Sequence, residues 1–143
     1  MYDNTITLFN RHNGKWYPSI IEGVDMVATE AASPTTLSGI TNGDAVEIII
    51  HCTKAKGITT TAGLKAYVSP KAYAACSAPA DCITFTPETD FIYEGAWPST
   101  NPIDDAGYES GLYAAMNEEY DGVHMITSAV FFGLLPHFEI GGR

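Results

Sequence analysis

Residues 5–27 read TITLFNRHNGKWYPSIIEGVDMV, and this stretch predicts two β-strands joined by a tight turn. Apolar and polar side chains alternate at its start, so Ile6 and Leu8 would share one face of the first strand. The pair Asn13-Gly14 tolerates the positive φ angles that a two-residue type I′ turn requires. A hairpin this early in the chain must join a sheet that later strands complete.

The size and composition of the chain predict a single domain, residues 1–143. Apolar residues make up 45% of the chain, which is enough to bury a core at this length. Seventeen acidic residues oppose seven Lys and Arg, for a formal net charge of −10. Sequence-specific binding to nucleic acid is not expected, because phosphate contacts need clustered Lys and Arg. An acidic surface would instead repel DNA and anionic lipid.

Targeting signals are missing from the sequence as it stands. No apolar run approaches the ~20 residues of a membrane-spanning helix, so we expect no membrane partner. The N-terminal residues MYDNT lack the basic and apolar regions of a secretory signal. We therefore expect a protein that is made in the cytosol and is not secreted.

After the hairpin, the chain predicts one long loop and several short strands. The loop, at about 28–43, is small and polar and has neither helical nor strand periodicity. It would be an interaction or gating loop or a merely mobile one, and both interpretations stay open. The predicted strands, which are rich in β-branched or alternating apolar residues, are Ala45–Cys52, Leu64–Val68, Cys82–Thr86, Asp90–Glu94, Val123–Phe132 and His137–Ile140.

One helix is predicted at about 102–120. Asn101 is a suitable N-cap, and Pro102 suits the first helical position. Two glycines weaken the first half of the helix, so its firm part is expected at Ser110–Glu119. The apolar tail that follows should close the sheet that the first hairpin opens.

Together these elements predict a mainly β fold. The expected architecture is a small antiparallel β-barrel or sandwich of about seven or eight strands. One α-helix precedes the C-terminal strands in this arrangement.

The chain carries no recognisable catalytic signature, so we do not expect an enzyme. There is no G-x-S-x-G elbow, phosphate-binding loop or G-x-G-x-x-G motif. The four histidines are scattered singly, and lone histidines are usually surface or satisfied core residues. We predict no catalytic residues, no cofactor and no metal site.

The three cysteines, Cys52, Cys76 and Cys82, have no C-x-x-C spacing. In a reducing cytosol we expect them to be free thiols. Cys76 and Cys82 flank a short loop, which they would bridge if they were oxidised.

A small carbohydrate- or calcium-binding β-module is the alternative to a structural role. Asn117–Gly122 is similar to the start of a calcium loop, but Ser128 stands where a bidentate glutamate is needed. Exposed aromatic side chains would stack on sugar rings or fill a protein interface, and the missing secretion signal favours the interface. The predicted interface residues are Trp16, Tyr17, Pro34, Leu37 and Trp97.

The opening of the chain resembles small structural proteins encoded among the head and tail genes of tailed phages and prophages of Gram-positive bacteria. The resemblance is carried by TLFN at residues 7–10 and by GVD at residues 23–25. Downstream, the order of strands, helix and closing strands is similar. The longer loop at 28–43 and the strong acidity depart from the usual pattern.

This resemblance implies a head completion, or head-tail joining, protein. Such a protein would be a small β-barrel that assembles with itself in a ring and with neighbouring virion proteins of the portal-adaptor and tail-terminator type. It would lie in the bacterial host cytoplasm during assembly and then in the virion. An acidic inner wall would keep translocating DNA from sticking. Its mechanism would be assembly without bond chemistry.

Overall fold

The structure is a computed structural model that describes residues 3–28 and 46–143. In chain order the strands are β1 (Asn4–His12), β2 (Lys15–Ala28), β3 (Val46–His51), β4 (Gly57–Thr60), β5 (Gly63–Tyr67), β6 (Cys82–Ile83), β7 (Phe91–Glu94), β8 (Ile103–Asp104), β9 (Val123–Phe132) and β10 (His137–Gly142). The α-helices are α1 (Pro70–Ala74) and α2 (Leu112–Glu119), and 3₁₀ turns lie at Pro79–Asp81 and Asp105–Gly107. Apart from Ala28, which ends β2, the predicted loop at 28–43 lies outside the described residues.

The predicted N-terminal hairpin is confirmed. His12 and Lys15 face each other across a two-residue turn. In this turn Asn13 has a φ of 51° and Gly14 a φ of 76°. A type I′ turn requires positive φ at both positions, which explains the Asn-Gly pair. The hairpin therefore forms from a local signal in the sequence.

Six strands close an antiparallel barrel. Their order is β1-β7-β9-β10-β3-β2, and the pairing of β1 with β2 completes the closure. The C-terminal hairpin β9–β10 links β7 to β3, so the tail closes the sheet as predicted. The short strand β8 extends the sheet beside β2. With 50% strand, 15% helix and α2 before the C-terminal strands, the predicted fold class is confirmed.

Both faces of β1 are buried, and this divides the core into two clusters. Ile6 and Leu8 belong to the barrel core, where they meet alternate residues of β3 and β10. Phe9, on the opposite face, stacks on Phe91 with ring centroids 4.7 Å apart. The second cluster contains these two rings with Trp16, Leu112, Met116 and Val123. The helix α2 therefore packs on the outside of the barrel, against β1 and β7.

The helix begins at Leu112, later than the sequence predicts. Residues 102–111 instead form β8 and a 3₁₀ turn, and Ile103 pairs with Trp16 on β2. The predicted N-cap Asn101 and first helical position Pro102 are therefore wrong. Just before α2, Gly111 has a φ of 90°, which favours glycine and does not continue a helix. The strand pairing of β8 outweighs the local capping signals.

A second, smaller sheet contains β4, β5 and β6. The pairing of β4 with β5 is antiparallel, whereas that of β5 with β6 is parallel. The segment 53–63, which lies between the predicted strands Ala45–Cys52 and Leu64–Val68, contains β4. The strand β4 within it places Ile58 in the barrel core. The small sheet therefore completes the main core.

Candidate protein-interaction surfaces

The turn between β9 and β10 carries large apolar side chains on its outside. Within Gly133–Pro136, Leu134 is 93% exposed and Leu135 is 76% exposed. Phe132, the last residue of β9, is exposed as well. We call Phe132, Leu134 and Leu135 the hairpin tip. Turns are usually built from Gly, Pro, Asn, Asp and Ser, so two consecutive exposed leucines make this turn a candidate contact surface.

The hairpin tip is held by contacts within its own hairpin. The ring of His137 stacks on Phe132, with centroids 5.1 Å apart and planes 13° apart. His137 Nδ1 lies 2.6 Å from the carbonyl oxygen of Leu135, and Nε2 lies 3.0 Å from a carboxylate oxygen of Glu139. These two acceptors raise the pKa of His137, because both favour the doubly protonated ring. An apolar surface ordered in this way loses little conformational entropy on binding.

Positive charge lies beside the hairpin tip, although the chain as a whole is acidic. The backbone N–H of Cys52 donates to the Pro136 carbonyl oxygen at 3.2 Å, which ties the end of β3 to the tip. The turn that follows carries Lys54 and Lys56. The Lys56 ammonium lies 4.7 Å from the centroid of the Phe131 ring, a cation–π contact. An apolar tip with a basic flank suits a partner surface that is acidic and aromatic.

A second surface of complementary character is formed by three aromatic rings. Tyr93, Trp97 and Tyr120 meet edge to face, with ring centroids between 5.6 and 5.8 Å apart. Tyr120 is exposed, and the other two are half-buried. We call these three residues the aromatic triad. Acidic side chains that are exposed beside Tyr120, at the end of α2, are Glu118, Glu119 and Asp121.

The hairpin tip and the aromatic triad lie at opposite ends of one strand. β9 begins at Val123, which pairs with Tyr93 of the triad. It ends at Phe132 of the hairpin tip. At ~3.3 Å for each residue, the length of β9 separates the two surfaces by roughly 30 Å. The two surfaces of one molecule therefore cannot meet.

The five predicted interface residues have different positions. Trp16 is only 3% exposed, so its side chain belongs to the core beneath α2. Tyr17 is half-buried on β2, whereas Trp97 lies in the aromatic triad. Pro34 and Leu37 lie outside the described residues. The hairpin tip is not among the residues predicted from the sequence. The pattern that could have identified it is a pair of leucines between a glycine and a proline.

A buried carboxylate, Asp90, fastens the chain before β7 to the first strand. It accepts hydrogen bonds from Asn10 Nδ2 at 2.9 Å and from the backbone N–H groups of Arg11 and Thr86, each at 3.0 Å. Burial raises the pKa of Asp90 to about 6, and the hydrogen bonds act against this rise. The predicted strand Cys82–Thr86 is confirmed only at its first two residues, which form β6, and the Thr86 backbone N–H bonds to Asp90. This carboxylate has a structural role.

A cavity of about 220 Å³ lies between β1 and the start of α2. Its central acid, Asp105, accepts hydrogen bonds from Trp16 Nε1 at 2.7 Å and from the backbone N–H of Leu112 at 2.8 Å. The Arg11 guanidinium is 3.4 Å from the same carboxylate. The two hydrogen bonds lower the pKa of Asp105. A carboxylate that serves three donors anchors the helix and is poorly suited to accept a proton from a substrate.

Metal-binding clusters and membrane-spanning helices are absent from the part of the chain that the structure describes. Across 3–28 and 46–143, no group of three or more His, Cys, Asp or Glu side chains is placed to hold a metal ion. No helix in this part of the chain is long and apolar enough to span a bilayer.

The fold defines a small closed β-barrel protein that exposes an apolar hairpin tip. The chain belongs to a family of unknown function, DUF6751, whose model matches residues 1–143. Searches of curated proteins and of solved structures found no match.

Proposed function

We propose that this protein is a virion structural protein of a tailed phage or prophage, a head-tail joining (head completion) ring subunit that acts by assembly. The observation that carries the proposal is the hairpin tip, where Leu134 and Leu135 stand exposed in a turn. The resemblance of the opening hairpin to small phage head and tail proteins supports a role in a phage or prophage virion. The partners would be further copies of the chain and virion proteins of the portal-adaptor and tail-terminator type.

Burial of the hairpin tip would contribute much of the binding free energy. Full burial of an exposed leucine side chain stabilises a complex by about 1.5–3 kcal/mol, and the tip presents Leu134 and Leu135 together. Exposed ion pairs contribute only about 0–1 kcal/mol each. The leucines would therefore set the affinity, whereas Lys54 and Lys56 would orient the partner.

The surface that fits the hairpin tip is the aromatic triad of a second copy. Its rings offer apolar area to the leucines, and the acids at the end of α2 complement the lysines beside the tip. Because the two surfaces lie at opposite ends of β9, the contact joins the tip of one copy to the triad of the next. A repeated contact of this kind closes into a ring when its rotation permits.

The charge of the chain supports a position beside DNA without attachment to it. The formal net charge is −10, and a wall of the same sign as the phosphates repels them. Three of the cations are already engaged: Arg11 is paired with Asp105, Arg143 is paired with Glu88, and Lys65 is buried and donates to Ser19. Few cations are left to bind phosphate.

Size-exclusion chromatography with light scattering tests the proposal. The full chain is measured alone over a range of concentrations, and then mixed with portal-adaptor and tail-terminator proteins encoded beside it. We expect an oligomer or a mixed complex. A double variant, Leu134→Ser with Leu135→Ser, should abolish it. Leu64→Ser is the matched control, because Leu64 is 64% exposed on β5 and should leave assembly intact.

Three outcomes would count against the proposal. The first is a chain that stays monomeric in every mixture, and the second is equal weakening of assembly by the double variant and the control. Retention of the wild-type chain on a glycan resin without any association would favour the carbohydrate-binding alternative. Circular dichroism of each variant confirms that it is folded before its assembly is compared.

A further inference from the structure

Two of the three cysteines lie close together beside the small sheet. Cys76 follows α1 and Cys82 begins β6, and their Sγ atoms are 3.7 Å apart. Both residues are partly exposed, so a small molecule in solution can reach them. The sulfurs of a disulfide are ~2.05 Å apart. Side-chain rotations that bring the two sulfurs closer by less than about 2 Å would form the bond.

The local structure anchors the backbone on both sides of this pair. The Cys76 backbone N–H donates to the Tyr73 carbonyl oxygen at 3.0 Å. The Tyr73 hydroxyl in turn donates to the Pro79 carbonyl oxygen at 3.2 Å, which holds the segment between the cysteines against α1. On the other side, Cys82 pairs with Ala66 of β5. The fold thus keeps the two thiols close in the reduced protein.

Nearby polar groups divide the roles of the two sulfurs. The Ala78 backbone N–H donates to Cys76 Sγ at 3.3 Å. Burial raises the pKa of Cys82, and the positive charge of Lys65 opposes the rise. Because burial disfavours the Cys82 thiolate, we assign the first attack to Cys76 and the second step to Cys82.

We propose that Cys76 and Cys82 form a reversible intramolecular disulfide when the protein meets a low-molecular-weight disulfide such as oxidised glutathione. The Cys76 thiolate attacks one sulfur of the oxidant, which creates a mixed disulfide and releases one thiol. The Cys82 thiolate then attacks Cys76 Sγ, forms the internal bond and releases the second thiol. The two protein thiols lose two electrons and two protons, and the oxidant gains them as two thiols.

The bond would join the end of α1 to the start of β6. It would close the short segment Cys76–Cys82 and so restrict the unfolded chain. A loop of this length corresponds to a rise in Tm of roughly 5–10 °C. A chain made with free thiols in the cytosol would gain this stability on reaching an oxidising environment. The inference does not depend on the proposed function.

Mass spectrometry of the unreduced full chain tests it. A Cys52→Ser variant, which removes the third thiol, and the wild type are incubated in glutathione buffers from fully reducing to fully oxidising. We expect a loss of two hydrogens, ~2 Da, and a Cys76–Cys82 linked peptide that dithiothreitol removes. The oxidised form should have the higher Tm.

Cys82→Ser is the matched control. Under the same oxidising conditions it should keep glutathione on Cys76 and show no rise in Tm. The inference is overturned if the pair stays reduced in the fully oxidising buffer. It is equally overturned if each cysteine carries its own glutathione, or if the disulfide links two chains.

Discussion

Replacement of Asp105 by alanine should destabilise the fold by about 3 kcal/mol. The carboxylate accepts hydrogen bonds from Trp16 Nε1 on β2 and from the backbone N–H of Leu112, the first residue of α2. Gly111, in the N-cap position, has no side chain to fill that role. Asp105 therefore caps the helix from outside and ties it to the barrel.

The magnitude follows from two losses. Trp16 is buried, and a buried donor left without its partner costs about 1–3 kcal/mol. Loss of an N-terminal cap costs about 0.5–2 kcal/mol. The Arg11 side chain is 45% exposed, so its ion pair with Asp105 adds little. Asp105→Asn keeps an oxygen that can accept both hydrogen bonds, and should cost only about 1 kcal/mol.

Urea denaturation, followed by tryptophan fluorescence and circular dichroism, measures these differences. Asp104→Ala is the control. The Asp104 carboxylate is exposed and accepts a hydrogen bond from the Ala106 backbone N–H at 3.2 Å. Loss of this hydrogen bond should lower the free energy of unfolding by under about 1 kcal/mol. The reasoning is refuted if the free energy of unfolding of Asp105→Ala lies within about 0.5 kcal/mol of the wild-type value. It is also refuted if Asp105→Ala and Asp104→Ala are equally destabilised.

The pH dependence gives an independent check. The pKa of Asp105 is lowered from its ordinary value of 3.8, so its contribution to stability is present above that value. The contribution is lost as the pH falls through the lower pKa of the folded state. The difference in the free energy of unfolding between wild type and Asp105→Ala should therefore become smaller at acidic pH.

Two further substitutions test other parts of the fold. Burial raises the pKa of Asp90 from 3.8 to about 6, so its favourable contribution is present at low pH and is lost as the pH rises through 6. Between about pH 4 and 7.5, the unfolding free energy of wild type should fall by about 2 kcal/mol relative to that of Asp90→Asn, and a constant difference in urea denaturation would contradict this. Gly14→Ala should cost about 1–2 kcal/mol through backbone strain alone, because φ is 76° there and an added Cβ meets nothing within 4 Å. Gly107→Ala, where an added Cβ is equally uncrowded and φ lies outside the left-handed region, should be neutral, and equal Tm values for the two alanine variants would refute the argument.

Local signals in the sequence were sufficient to predict most of the strands. The Asn13-Gly14 pair specifies its turn because few residues tolerate positive φ. The alternation in Val46–His51 identifies its buried face because side chains in a strand point to opposite sides in turn. The mainly β fold, the late helix and the closing role of the tail follow from patterns of this kind.

The start of the helix shows where local signals stop being sufficient. Asn101 and Pro102 are good capping residues, yet the chain there pairs as a strand through Ile103 and Trp16. These two residues are far apart in the sequence, and no local pattern reports their contact. The N–H of Leu112, the first residue of α2, is instead bonded to Asp105, which the tertiary structure brings into place.

The sequence by itself determined which residues are apolar, where the tight turns lie and which side chains alternate between the two faces of a strand. Only the tertiary structure decided that Trp16 is covered by α2, that Leu134 and Leu135 project beyond the sheet, and that Cys76 and Cys82 meet. The reason is that periodicity records the chemistry of one segment. Burial depends on what distant segments place against it.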